Sequence, residues 1–403
     1  MNTGNLNPFR PGAGHMPPYL AGREDEKLQF QKLLGQKPVL TNLVLTGRRG
    51  VGKTVLSETL KPYAFAAGWL WIGTDLSEAA SLTDETIALR LLTDLAVVTS
   101  AVVIAKKEIQ EFGFLAGRTV EEQKLDFKVL AAIYDQTPGL VADKLKAVLE
   151  TVWKFVAPLQ KTGIIFAYDE AQNLSDHADK DQYPLSLLLD VFQSIQKKNI
   201  PFMLVLTGLP NLFPKLVEAR TFSERMFQTI TIDRLSEQAS KEAILKPIQA
   251  QPNCPVRPAE KLVNLIVLRS GGYPYFIQFI CREMFDVALQ KLAAGEQPVI
   301  LVDQIILKLD SDFFAGRWSK ATDRQRDLLV VVAGLESCDS EFTVQEVVEA
   351  SKKNGSGFSS SHVSQLLSQL IEVGLVFKSR HGKYSLGVPL LAQFISRWHA
   401  ASK

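Results

Sequence analysis

Residues 47–54 read Gly-Arg-Arg-Gly-Val-Gly-Lys-Thr, a complete G-x-x-x-x-G-K-S/T phosphate loop, directly after the apolar run Asn42-Leu43-Val44-Leu45-Thr46. The chemistry explains the residue types. Glycines at 47, 50 and 52 let the backbone curl until successive N–H groups face phosphate oxygens, which bulky side chains would obstruct. Arg48, Arg49 and Val51 fill the variable positions. Lys53 is placed to reach the β- and γ-phosphates, Thr54 to set its hydroxyl on Mg²⁺, and the helix that carries Lys53, Thr54 and Val55 to aim its positive end at the anion. A second pattern lies at Gly163-Ile164-Ile165-Phe166-Ala167-Tyr168-Asp169-Glu170, an apolar strand that ends in two carboxylates. Asp169 is expected to hold Mg²⁺ directly or through water, and Glu170 to orient and polarise an attacking water. Together the two patterns predict ATP and Mg²⁺ as cofactors, ATP or ADP as ligand, and in-line attack of water on the γ-phosphate.

Such groups need a scaffold that presents them at one edge. Further strands are expected at Trp69–Ile72, Phe202–Gly208 and Thr229–Ile232. Strands alternating with helical segments predict an α/β chain, a parallel sheet with helices on both faces, with the nucleotide at the C-terminal ends of the strands. Between strands two and three, about residues 77–160 exceed a single crossover and carry a mostly helical pattern, as at Thr83–Val98 and Val141–Val156. This insertion either contacts a subunit or partner or adds a packed layer. Leu95–Ala105, the longest apolar stretch, is expected to be a buried or packed amphipathic helix and is too short to span a bilayer.

Residues 236–315 read as a second, smaller helical domain, with helices near Glu237–Ile248, Pro258–Arg269, Pro274–Leu292 and Val302–Phe314. Pro274 suits the first turn of its helix. Residues 318–403 change rhythm: helices at Thr322–Leu335, Thr343–Ser351 and Ser359–Val373, then two short strands around Lys378-Ser379-Arg380-His381-Gly382-Lys383. That pattern predicts a winged helix. Ser359 would cap its third helix, whose His362, Ser364, Gln365, Ser368 and Gln369 include groups able to bond base edges or phosphates. Lys378, Arg380 and Lys383 would form a phosphate-contacting wing. From Lys320 onward there are ten Lys or Arg against eight Asp or Glu, so the electrostatic footprint is modest. Duplex DNA and a protein surface both remain open as the partner of this domain.

The 403 residues, 46% hydrophobic, can bury two or three cores, and a formal charge of +2 makes no global case for nucleic acid. Cys254, Cys281 and Cys338 lie far apart, which suggests neither a disulfide framework nor a zinc site and points to a reducing, cytoplasmic home. No basic-then-apolar leader opens the sequence, so neither export nor a membrane partner is expected. Residues 1–22 are rich in Pro, Gly and Asn, yet Phe9, Tyr19 and Leu20 predict an ordered strap over a disordered tail.

From Thr207, through Phe222-Ser223-Glu224-Arg225-Met226-Phe227 and Leu235-Ser236-Glu237-Gln238, to Ser270-Gly271-Gly272-Tyr273-Pro274-Tyr275, the chain resembles the origin-recognition (replication-initiator) and STAND branches of the AAA+ ATPases. The resemblance runs to near Lys403, although only the phosphate loop and the Asp169-Glu170 strand are specific motifs. It implies an ATPase core over 23–235, a lid over 236–315 that closes on ATP, and a strap over 1–22 near the adenine. It places Thr207 as the first sensor of the γ-phosphate or the water, and Arg225 as an arginine finger acting on a neighbouring subunit. Initiators carry a second-sensor arginine near 273, where this chain has Tyr273-Pro274. That departure matches the STAND variant, whose G-x-P segment packs on the nucleotide; Arg282 is one turn further than a sensor would be. The implied protein is a homo-oligomer or an assembly with a protein partner. Three functions fit: an ATP-hydrolysing switch coupled to DNA, a slow STAND-like signalling scaffold whose winged helix contacts protein, and a helper ATPase for a nuclease or recombinase.

Overall fold

Five short apolar runs form a single parallel sheet in the order β2-β5-β6-β1-β7. These are β1 (Asn42–Thr46), β2 (Trp69–Ile72), β5 (Gly163–Tyr168), β6 (Phe202–Gly208) and β7 (Phe227–Thr231). β1, β5 and β6 are buried on both faces, as expected when helices cover the two sides. The computed structural model describes residues 7–12, 14–110, 118–353, 357–380 and 382–401. Two compact units divide the chain. One comprises Glu24–Thr46 and Leu56–Thr231, the other Met1–Arg23, Gly47–Val55 and Ile232–Lys403.

In the first unit the sheet is flanked by α1 (Glu24–Leu34), α2 (Lys53–Ala66, its first turn belonging to the other unit), α3 (Asp84–Thr99), α4 (Phe127–Gln136), α5 (Val141–Val156), α6 (Pro184–Lys197), α7 (Leu212–Ala219) and α8 (Ser223–Met226). α5 shows why they pack: Leu145, Val148, Leu149, Val152 and Val156 recur at helical spacing and all are buried. Phe166 of β5 meets Phe192 of α6 edge to face at 4.8 Å. The register opposes Leu45 to Thr207, Thr46 to Gly208 and Tyr168 to Leu206. Thr46, Asp169 and Thr207 therefore fall at one edge of the sheet.

The helix expected over Leu95–Ala105 is interrupted. α3 stops at Thr99, whose hydroxyl donates to the Leu95 carbonyl at 3.0 Å, and the chain turns into an antiparallel hairpin of β3 (Val103–Gln110) and β4 (Arg118–Lys124). The β-branched run Val102-Val103-Ile104 favours extended backbone, and Lys106 pairs with Glu122 at 2.9 Å across the strands. Residues 111–117 of the insertion lie outside the described residues. β7 begins two residues before the strand expected at Thr229.

The second unit contains α9 (Glu237–Gln249), α10 (Glu260–Ser270), α11 (Pro274–Ala293) and α12 (Val302–Leu309), then a π-helical turn over Asp310–Ala315 and the short α13 (Gly316–Trp318). α14 (Asp323–Ala333), α15 (Val344–Lys353), α16 (Ser360–Glu372) and a hairpin of β8 (Val376–Arg380) and β9 (Lys383–Leu386) follow. Phe342 and Tyr384 exchange backbone hydrogen bonds of 2.8 Å, which ties the segment before α15 to the hairpin. α17 (Leu391–Ala401), which the sequence reading did not anticipate, packs on α14 and the π-turn, with Phe394 stacked on Phe314 at 5.1 Å. Phe9 is buried against Phe285 of α11, and Tyr19 donates to Glu242 of α9 at 3.0 Å. Residues 1–6 and 13 of the expected strap, and 354–356, 381 and 402–403 of the expected winged helix, lie outside the described residues. No helix among the described residues is long and apolar enough to cross a membrane.

Candidate functional site

The phosphate loop is shaped by its glycines and braced by its own unit. Gly50 and Gly52 adopt φ of 77° and 90°, a region that side-chain-bearing residues rarely enter. The direction a Cβ would take at Gly52 is open space. α2 opens at Lys53, so Thr54 and Val55 lie in its first turn, and the Lys53 amine donates to the Arg48 carbonyl at 3.0 Å. Arg23, 5% exposed, donates to the carbonyls of Val51 at 3.0 Å and Asp233 at 2.7 Å. Tyr275 donates its backbone N–H to the Gly50 carbonyl at 3.3 Å, and Arg48 reaches the Asp339 carbonyl at 2.9 Å. Gly47 and Val51 are buried and Arg49 is exposed. Tyr273 is buried just before Pro274, which starts α11 at the position where a missing N–H costs nothing.

The carboxylates belong to the sheet unit. Asp169 follows β5, its backbone paired with Thr74 and Leu76, and its Oδ1 accepts the Glu170 N–H at 2.7 Å. Glu170 sits in the left-handed region, φ 50° and ψ 33°, a conformation that costs a non-glycine residue about 1–3 kcal/mol and persists where surroundings over-determine it. Its exposed side chain is held by the Gln172 amide, whose Oε1 accepts the Leu209 N–H at 3.1 Å. Lys215 of α7 donates to the Gln172 carbonyl at 2.7 Å, and burial holds its amine below the ordinary lysine pKa. Thr46 donates to the Leu209 carbonyl at 2.9 Å. The Thr207 hydroxyl is buried and has no hydrogen-bond partner among the described residues.

Gln172 and Arg23 are positions whose roles the sequence reading missed. Gln172 is visible as the last residue of Asp169-Glu170-Ala171-Gln172, but only the crossing from β5 to β6 brings it to Leu209. Arg23 is the first residue of the expected core, and its bracing of the loop follows from a contact 28 residues away.

Arg225 lies on α8, immediately before β7 and thus at the edge of the sheet opposite Thr46, Asp169 and Thr207. The five-residue β7 spans roughly 16 Å, more than an arginine side chain can cover. Arg225 is exposed and lines a surface pocket of about 220 Å³ with Val39, Leu40, Gln193 and Lys197. Of the groups expected to meet DNA, His362 packs on Phe358 at 5.5 Å, and Gln369 accepts from Gln325 at 3.0 Å. Gln365 is exposed with no hydrogen-bond partner among the described residues. In the hairpin, Arg380 pairs with Glu341 at 2.8 Å while Lys378 is exposed and Lys383 half-buried.

The loop's geometry suits the phosphates of a nucleotide: two positive-φ glycines leave backbone unencumbered by side chains, and Gly52 faces open space. In the sheet unit, Thr207 carries an orphaned buried hydroxyl. Comparison with solved structures agrees on the fold. The chain is similar to the Walker-type ATPase PABY2304 of Pyrococcus abyssi, with 15% identity and a TM-score of 0.57 over 94% of this chain and 96% of that one. It is also similar to the ORC2 protein of Aeropyrum pernix in its ADP form, with 12% identity and a TM-score of 0.55 over 97% of each chain. Residues 311–395 match a family model described as a domain of unknown function, DUF8462. No curated protein matches the chain in sequence. The chain shares with these two proteins its fold, here a five-stranded parallel sheet flanked by helices and followed by a helical region.

Proposed function

We propose that the protein is an ATP-binding and ATP-hydrolysing switch whose C-terminal helices and hairpin form a winged helix that engages duplex DNA. The observation that carries this reading is the phosphate loop: glycines at φ 77° and 90°, with Lys53 and Thr54 opening a helix directly after the sheet strand β1. Lys53 binds the outer phosphates and excludes their water. Thr54 and Asp169 hold the cation, whose charge would neutralise the phosphate oxygens when it is bound. Glu170 takes the proton of water, and Gln172 keeps its carboxylate oriented while Thr207 offers a hydroxyl to the phosphate or the water. Arg225, at the opposite edge of the sheet from Asp169, acts on a neighbour. ORC2 of A. pernix has been solved with ADP and with ADPNP, which supports the choice of ligand.

Steady-state ATP hydrolysis against protein concentration, with and without duplex DNA and with Glu170→Gln as the blank, tests this reading. Turnover rising with both supports it; ATP bound without turnover under every condition overturns hydrolysis as the function. The second reading, a nucleotide-held scaffold, is favoured by the Gln172 amide that occupies Glu170 and by Tyr273-Pro274 standing where a sensor arginine is expected.

A further inference from the structure

Arg317 is a half-buried arginine with no carboxylate partner among the described residues. Its Nη1 donates to the Phe313 carbonyl one turn back at 2.5 Å, and its guanidinium lies over the Phe313 ring at 4.1 Å. Phe313 in turn packs on Tyr275, with ring centroids 5.1 Å apart, and Tyr275 is the residue whose N–H meets Gly50 of the phosphate loop. Arg317 is thereby held on Phe313, the ring neighbour of the residue that touches the loop. Burial, and then the like charge of Arg49, hold its pKa below the ordinary arginine value. A half-buried arginine with a like charge in its surroundings and no ion pair among the described residues is a costly arrangement that an anion would relieve. Arg282 is a weaker candidate: it stands roughly 10 Å further along α11 than Tyr275, at 1.5 Å per residue, and its carbonyl is taken by Asn7.

The segment that carries Arg317 is fastened at its other end to α17. Asp310, the first residue of the π-turn, accepts two hydrogen bonds from Arg397 at 2.8 and 2.6 Å. Phe314 is fully buried between Phe276 at 5.9 Å and Phe394 at 5.1 Å, and Trp318 meets Trp398 at 5.1 Å. A π-turn is a strained insertion in a helix and is frequent at functional positions. Here it stands between a cation beside the loop and the helix that closes the C-terminal domain.

We propose that Arg317 binds the terminal phosphate of the nucleoside triphosphate and reports its presence through the π-turn to α17. This deepens the ATP reading and rests on it. Arg317 replaces the missing lid arginine from outside the lid helix, so the C-terminal domain itself distinguishes triphosphate from diphosphate.

Titration of the wild-type chain, Arg317→Lys and Arg317→Ala with ADP and with a non-hydrolysable ATP analogue tests it by calorimetry. Arg317→Ala is expected to lose about tenfold to a hundredfold in affinity for the analogue and to keep its affinity for ADP, with Arg317→Lys between. Retained ADP binding shows that the variant is folded. Equal losses for both nucleotides, or none, would overturn the proposal by leaving Arg317 a purely structural clamp on Phe313. Tryptophan emission at saturating nucleotide gives a second reading, because Trp318 and Trp398 sit on the relay. The analogue but not ADP should change it in the wild type and in neither case in Arg317→Ala, and Trp398→Phe should remove most of the change. An unaltered response in Arg317→Ala would sink the relay. Binding of neither nucleotide by the wild-type chain would overturn the ATP reading itself, and this inference with it.

Discussion

At the phosphate loop the chemistry is presented by backbone, whereas at the end of β5 it is presented by side chains. The loop needs glycines at positive φ, and its conformation is held by donors to its carbonyls: Arg23 on Val51, Lys53 on Arg48 and Tyr275 on Gly50. The carboxylate edge tolerates a non-glycine residue in the left-handed region at Glu170 and fixes its side chain through Gln172, Leu209 and Lys215. The difference teaches that, on the proposed reading, binding and turnover rest on separable parts. Backbone N–H groups can recognise any polyphosphate of the right shape, so on the proposed reading the loop sets the seat of the phosphates while side chains such as Lys53 add to the affinity. Turnover, on that reading, would depend on one carboxylate being aimed, and hydrogen bonds within the sheet unit hold that carboxylate.

Breaking the binding half should remove affinity and turnover together. Lys53→Ala removes a charge-assisted bond to phosphate and is expected to lower ATP affinity by about a hundredfold or more, measured by calorimetry. Undiminished affinity would remove the loop from the site. Arg225→Ala should leave affinity alone and lower turnover by about a thousandfold, the scale of an arginine finger. Mixing it with Glu170→Gln should then restore activity, since each variant supplies what the other lacks; failure of the mixture to recover would deny Arg225 a role on a neighbour.

Glu170→Gln should keep ATP bound and cut turnover by at least about a hundredfold. Normal turnover would name another base. Gln172→Ala sharpens the comparison further, with kcat falling by about tenfold at unchanged KM if the amide positions Glu170. A rise in kcat would instead mean that the amide holds Glu170 idle, as the scaffold reading requires. The smallest effect is expected in the hairpin. Lys378→Glu with Lys383→Glu should flatten the salt dependence of duplex binding by roughly two units of slope, at about 0.9 per phosphate contact. Arg380 is left out because Glu341 already engages it.

The five strands, the first three helices of residues 236–315 and the three helices before the hairpin were legible in the sequence because each rests on local pattern, whereas the helix expected over Val302–Phe314 gives way to the π-turn after Leu309. Ser359 illustrates this, capping α16 through the His362 N–H as expected. The β3–β4 hairpin was not legible, because the apolar run Leu95–Ala105 reads as helix until a turn at Ser100 divides it. α17 was missed because the sequence reading ended with the hairpin. The sheet order β2-β5-β6-β1-β7 also lies beyond local pattern, since neighbours in it are distant in the chain.

By itself the sequence determined the kinds of group available: a glycine-rich loop free to curl, an apolar strand ending in two acids, and a lysine and a threonine at the start of a helix. Those follow from the conformational freedom of glycine and from the period of apolar residues, both local properties. Only the tertiary structure decided which groups cooperate. It set Gln172 on Glu170 and Leu209, left the Thr207 hydroxyl buried without a partner, put Arg225 at the opposite edge from the carboxylates, and laid Arg317 on Phe313 beside Tyr275. Each of these depends on residues far apart in the chain, and their meeting is fixed by strand order and helix packing, which no window of sequence contains.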